Sequence, residues 1–104
     1  MAIHLRTIAA DDLWLSPFYH KDGAAVHFTW KREPEKVLAL LPEIEAALTP
    51  FGALPHWGKV FTMPARQVQA GYPRLGDFQD LLRTYDPQGK FRNAFLDRYI
   101  FAGE

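Results

Sequence analysis

The sequence predicts an α+β domain: a small antiparallel sheet of about three or four strands, with two main helices on one face and a short C-terminal helix. Three observations predict this class. Apolar and polar residues alternate near the N-terminus, apolar residues recur at helical spacing later in the chain, and eight prolines keep every helical stretch short. At 104 residues, the chain is expected to form one domain over residues 1–104.

Two segments near the N-terminus have the alternation that is typical of strands. The first strand is predicted over residues 2–8 and the second over residues 24–31. Because successive side chains of a strand point to opposite faces, antiparallel pairing would gather the polar side chains of both strands on one face. That face is either a solvated surface or a binding surface. Its polar side chains are His4, Arg6, His27 and Thr29.

The longest helical pattern follows the second strand. Pro34 suits the first turn of a helix over residues 34–49, and the apolar positions of this helix are expected to make it the main contributor to the core. Pro42 lies inside the pattern and has no N–H group. A kink or a break is therefore expected near residues 38–41.

The C-terminal half predicts shorter elements. Residues 63–70 are expected to be a short helix or an irregular segment, and residues 75–85 a second helix. Asn93 is a residue type that caps helix N-termini, so a last short helix is expected over residues 94–101.

Composition excludes several classes of function. The chain has 12 Lys and Arg residues against 12 Asp and Glu residues, so no net field would attract nucleic acid. It has no cysteine and no apolar run long enough to span a membrane, and a cytoplasmic location is the default expectation. The four histidines lack the spacing of a zinc motif, so no metal site is predicted.

Residues 54–61 are the segment in which we look for chemistry, because His56, Trp57 and Lys59 stand close together there between apolar neighbours. Two cations, Arg6 and Lys59, together with a hydroxyl group, could hold a polyol and stabilise the oxyanion that forms when a hydride leaves an alcohol carbon. The alternative interpretation is that both cations are ordinary surface charges, with Lys59 protecting the edge of a strand.

Four segments of the chain resemble the C-terminal part of the aldonolactone and alditol oxidases, which are flavoproteins of the vanillyl-alcohol oxidase superfamily. The resemblance runs through nearly the whole chain and is closest to the bacterial xylitol or alditol oxidases. The most specific element is Pro-His-Trp-Gly-Lys. The four segments are residues 6–16, 27–30, 55–59 and 86–93.

The resemblance implies roles for five residues. In this family FAD is bound chiefly by an N-terminal domain, and a C-terminal cap domain covers the flavin ring and lines the substrate pocket. Lys59 and Arg6 would then be catalytic, stabilising the charge that develops on the alcohol oxygen, while Thr29 would bind a neighbouring substrate hydroxyl. His56 would lie near the flavin. His4 takes the place of a substrate-binding glutamate of the alditol oxidases, a change of both charge and acceptor capacity.

Two hypotheses follow. In the first, the chain is the cap portion of an FAD-dependent oxidase of sugar alcohols or aldonolactones, which passes a hydride to the flavin and electrons on to dioxygen, forming hydrogen peroxide. Such a chain would be active only with an FAD-binding domain, which this sequence lacks. In the second, it is a non-catalytic, stand-alone domain that associates with itself, as a homo-oligomer, or binds a partner through its exposed sheet face.

Overall fold

The computed structural model describes residues 1–103, which form an α+β fold containing a single two-stranded antiparallel sheet and four α-helices. The predicted fold class is confirmed, with two strands where about three or four were expected. In chain order the elements are β1 (Ala2–Ile8), β2 (Gly23–Thr29), α1 (Pro34–Leu48), a 3₁₀ turn (Thr49–Phe51), α2 (Ala65–Ala70), α3 (Leu75–Tyr85) and α4 (Ala94–Tyr99).

The two strands form a hairpin whose long connection is held by its own hydrogen bonds. Asp11 makes an isolated parallel bridge with Tyr19, and its carboxylate accepts hydrogen bonds from the Leu13 N–H (3.0 Å) and the Ser16 hydroxyl (2.6 Å). Asx and Ser side chains commonly bond to nearby backbone in this way and fix turns. The connection between β1 and β2 is therefore ordered by local polar contacts.

The apolar face of this sheet is exposed in the described residues. Leu5 is 74% exposed and Ile3 54% exposed, and each strand's main contacts are with the other strand. The helices, which were expected to cover one face, pack against one another beside the hairpin instead. They can do so because side chains from the loop before α2 complete their core.

The core lies between α2, α3, α4 and the loop that precedes α2. Apolar side chains from all four segments meet there, and Trp57, Phe61 and Leu54 pack against them from the loop side. The fully buried positions are Val68 and Ile100. The buried cluster consists of Met63, Val68, Tyr72, Leu75, Tyr99, Ile100 and Phe101.

Helix α1 was expected to be the main contributor to the core, and that prediction is wrong. Leu41 is its one buried residue, and Phe51, just past its end, is 83% exposed. The helix also continues through Pro42 without a break. Pro42 has no N–H to offer the Leu38 carbonyl, but Leu38 is 49% exposed, so water can take that hydrogen bond.

The C-terminal helices follow the predicted signals closely. The Asn93 side chain caps α4 by accepting a hydrogen bond from the Leu96 N–H (2.9 Å). Before it, the Asp86 carboxylate accepts hydrogen bonds from the Lys90 and Phe91 N–H groups (2.8 and 3.0 Å), and Gly89 takes the positive φ of 69° that the turn needs. The chain thus enters α4 in a fixed direction.

None of the helices within residues 1–103 has both the length and the apolar character needed to cross a membrane.

We expect Ile100→Ala to destabilise the domain by about 2–5 kcal/mol, because Ile100 is 1% exposed and its removal leaves a cavity in a closely packed cluster. Leu81→Ala is the matched control, since Leu81 is 41% exposed on α3. Urea unfolding followed by circular dichroism measures both. Equal losses for the two variants would mean that the core does not lie where we place it.

Candidate active site

The hairpin gathers three of the predicted site residues, together with His27, on one face. The strand register pairs His4 with His27, Arg6 with Ala25 and Ala2 with Thr29. Because side chains alternate between faces, the polar residues of both strands share the face opposite Leu5, as the sequence predicted. All four side chains are exposed. We call this set, His4, Arg6, His27 and Thr29, the hairpin face.

Residues His56 to Lys59 form a tight turn rather than a strand. The Lys59 N–H donates to the His56 carbonyl (3.1 Å), and the Gly58 N–H donates to His56 Nδ1 (2.9 Å). The imidazole is thus held by its own turn, and its Nε2 makes no hydrogen bond within residues 1–103. Because Lys59 is not in a strand, the edge-protection alternative for this lysine does not apply.

Trp57 anchors this turn to the rest of the molecule. Its indole N–H donates to the Leu15 carbonyl (2.9 Å), and its ring stacks on Tyr72 with a centroid distance of 5.0 Å. Phe95 of α4 meets the same ring edge-on at 6.1 Å. A side chain bonded at one end and packed on two sides has little freedom. The backbone of the flanking residues His56 and Lys59 is therefore held in place.

A second attachment fixes the chain just after Lys59. The Glu45 carboxylate of α1 accepts hydrogen bonds from the Thr62 N–H (2.6 Å) and from the Thr62 hydroxyl (2.9 Å). Bonds to a charged acceptor are stronger than neutral ones. The segment from Trp57 to Thr62 is consequently held at both ends.

Lys59 borders an open depression of about 340 Å³. Arg98, in the last turn of α4, lies on the same depression, so two cations border a largely aromatic surface. Within residues 1–103, neither cation takes part in a hydrogen bond or an ion pair with another side chain. Sequence analysis missed Arg98, because its only signal would have been proximity to Lys59 in space. The aromatic lining residues are Phe61, Phe95 and Tyr99.

The predicted site residues thus fall into two groups. The hairpin face brings together His4, Arg6 and Thr29, whereas His56 and Lys59 belong to the turn anchored by Trp57. No residue of the hairpin lines the depression beside Lys59. A second open depression of about 380 Å³, lined by residues 12–15 and Phe78, contains no predicted site residue.

Comparison with known proteins identifies relatives of the whole chain. The model of the D-arabinono-1,4-lactone oxidase family matches residues 1–99. The chain is 50% identical to an alditol oxidase from a Streptomyces strain over 92 residues, covering 88% of this chain and 22% of that protein. It is 30% identical over 100 residues to an L-gulono-1,4-lactone dehydrogenase of Mycobacterium tuberculosis, covering 94% of this chain and 23% of that protein.

A more distant relative is an L-gulonolactone oxidase of Mus musculus, 26% identical over 102 residues, which cover 95% of this chain and 23% of that protein. The chain therefore spans about a fifth to a quarter of the length of these relatives.

The His56 turn predicts a defined tautomer. Since Nδ1 accepts a hydrogen bond from Gly58, the neutral ring must carry its proton on Nε2. Long-range ¹H–¹⁵N correlation spectra should show His56 wholly in this form. His27, which makes no such bond, should give the averaged shifts of two exchanging tautomers. A proton on Nδ1 of His56 would contradict the geometry.

Because of Tyr72, which stacks on Trp57, we expect the domain to lose stability at alkaline pH. Within residues 1–103 its buried hydroxyl has no hydrogen-bond partner, and burial raises the pKa of Tyr72 to about 12. In the unfolded chain tyrosine ionises near its usual pKa of 10.0, so the stabilising effect of the raised pKa is complete below pH 10 and is lost as the pH rises to about 12.

The matching variant is Tyr72→Phe, which removes the unpaired hydroxyl and the titrating group together. We expect it to raise the free energy of unfolding at pH 7 by about 1 kcal/mol and to reduce the decline between pH 10 and 12. Denaturant unfolding at several pH values measures both effects. A variant that is less stable at pH 7 would show that the hydroxyl has a partner in solution.

Proposed function

Because the chain belongs to the D-arabinono-1,4-lactone oxidase family and corresponds to a C-terminal portion of such enzymes, we propose that it forms one wall of the substrate cavity of an FAD-dependent oxidase. The substrate class is a sugar alcohol or an aldonolactone. The observation that carries the proposal is the hairpin face, where the Arg6 guanidinium, which makes no ion pair within residues 1–103, lies on the same side of the sheet as the Thr29 hydroxyl group.

The chemistry requires groups that stabilise negative charge on oxygen. When a hydride leaves the carbon of an alcohol, the oxygen gives up its proton and carries charge in the transition state. Arg6 and Lys59 lie in separate groups in the structure, and neither has a carboxylate partner in the described residues. The proposal is that both face that oxygen once the FAD-binding domain has closed the cavity. Thr29 can both donate to and accept from a neighbouring substrate hydroxyl. A preorganised donor of this kind contributes about 10²–10³ in rate.

The residues present could contact one side of a flavin ring, but they do not form a binding site for the whole dinucleotide. Both depressions found in the described residues are open, and the sequence contains no Gly-rich loop that could hold phosphates. His56 offers its imidazole Nε2 to a polar ring edge and would contact the cofactor, while Lys59 in the same turn would face the substrate oxygen. Bound FAD would supply the hydride acceptor. Dioxygen is the proposed final electron acceptor, by analogy with the relatives that are named oxidases.

The extent of the exposed surface supports docking against a further domain. The accessible area is 7659 Å², whereas a compact monomer of 11.9 kDa is expected to expose about 5,900 Å². The radius of gyration is 15.1 Å, against about 13 Å for a compact domain of this length. The excess of about 1,700 Å² is the area that one side of a large, permanent interface covers. The exposed apolar face of the hairpin is part of it.

The proposal is tested by placing residues 1–99 in the position of the matching segment of the Streptomyces alditol oxidase. We expect the FAD-loaded chimera to form hydrogen peroxide with xylitol, sorbitol or an aldonolactone. Lys59→Gln should lower kcat by about 10²–10³, because it removes a cation from the developing oxyanion.

Lys21→Gln is the control, since Lys21 is an exposed lysine in the hairpin connection. We expect its kcat to stay within about twofold of the parent chimera. A folded, flavin-loaded chimera that oxidises none of these substrates, or that loses nothing on Lys59→Gln, would contradict the proposal.

A further inference from the structure

Two histidines lie directly opposite each other on the hairpin face. The register pairs His4 with His27, and their ring centroids are 5.9 Å apart with the ring planes inclined at 34°. Both side chains are exposed, and within residues 1–103 neither ring makes a hydrogen bond or an ion pair. Their nitrogens are therefore available to a ligand.

This spacing suits a shared metal ion. Directly opposite residues of an antiparallel pair have Cβ atoms about 4.5–5.5 Å apart, so both rings can turn toward one point above the sheet. With metal–nitrogen bonds of about 2.0–2.1 Å, two imidazoles on one tetrahedral ion have their centroids about 5 Å apart. The observed 5.9 Å exceeds this value by less than 1 Å, so rotation of the two exposed side chains can bring both rings onto one ion.

We propose that His4 and His27 form a two-imidazole site for a divalent first-row transition metal, with Zn²⁺, Ni²⁺ and Cu²⁺ as its chemical class. Imidazole nitrogen suits these ions, while Mg²⁺ and Ca²⁺ require oxygen ligands and the hairpin face carries no carboxylate. Water completes the coordination, since the described residues contain no cluster of three or more His, Cys, Asp and Glu side chains placed to hold a metal.

The neighbours of the pair set the strength of the site. Arg6 lies two residues from His4 on the same face, so its positive charge opposes a dication. Thr29 lies two residues from His27 and adds a neutral oxygen. A site with two ligands and a nearby cation binds more weakly than a structural zinc site, and its affinity must depend on both imidazoles together. The inference rests on the strand register and on the distance between the two rings, and it is independent of the proposed oxidase function.

The test is titration of the full chain with ZnCl₂ and NiCl₂, followed by isothermal calorimetry and by the histidine Cε1–H resonances. We expect one ion per chain, with shifts confined to His4 and His27, and no binding of MgCl₂. His4→Gln and His27→Gln should each weaken binding at least tenfold, and the double variant should lose little more than either single one, because one imidazole alone is already a poor ligand.

His20→Gln and His56→Gln are the matched controls, and each should change the affinity less than twofold. Hydrogen exchange gives a second readout: Zn²⁺ should slow exchange of the strand amides in the parent chain and not in either pair variant. Binding that the controls weaken as much as the pair variants, or that is lost additively with each histidine removed, would overturn the proposal.

Discussion

The hydrogen bond from the Trp57 indole to the Leu15 carbonyl is the constraint on which the arrangement of this molecule depends. It joins positions 42 residues apart, at 2.9 Å, and connects the segment that follows β1 to the helical core. Because the same ring stacks on Tyr72, the bond also ties the chain after β1 to the buried cluster of α2, α3 and α4. Arg74 adds further links between these two parts, because its guanidinium donates to the Tyr19 hydroxyl (3.3 Å) and lies over the Trp14 ring at 5.1 Å. The turn that presents Lys59 is positioned by the Trp57 side chain at one end and by the hydrogen bonds between Thr62 and Glu45 at the other.

The exposed hairpin follows from how the apolar side chains are distributed. The loop residues around Trp57 complete the helical core, which leaves the face of Ile3, Leu5 and Val26 without a covering layer among the described residues. A two-stranded sheet is only marginally stable by itself, so its base is held by polar contacts such as the bond from the Ala10 N–H to the Asp22 carboxylate. The same strand register therefore places the apolar side chains on one exposed side of the sheet and the polar side chains of the hairpin face on the other.

The sequence correctly predicted the features that are set by local interactions along the chain. Alternation in β1 and β2 gave the shared face of Arg6 and Thr29, and Asn93 marked the start of α4, because pleating and capping depend on a few neighbouring residues. The burial of α1 could not be predicted in the same way. Its apolar positions fit a core-facing helix, but which surface covers them depends on packing between distant segments. Arg98 was missed for the same reason, since it meets the border of the Lys59 depression only after α4 has docked.

The separation of the two groups of site residues is itself consistent with a domain that acts as part of a larger enzyme. Net charge is zero, so the molecule has no long-range field, and Arg6, Lys59 and Arg98, which make no ion pair within residues 1–103, are local sources of positive potential on open surfaces. In water such charges are heavily screened and contribute little. Their effect on an anion grows when a second surface excludes water and lowers the local dielectric constant. Under the proposed function, the contribution of these cations would therefore depend on the surface that closes over them.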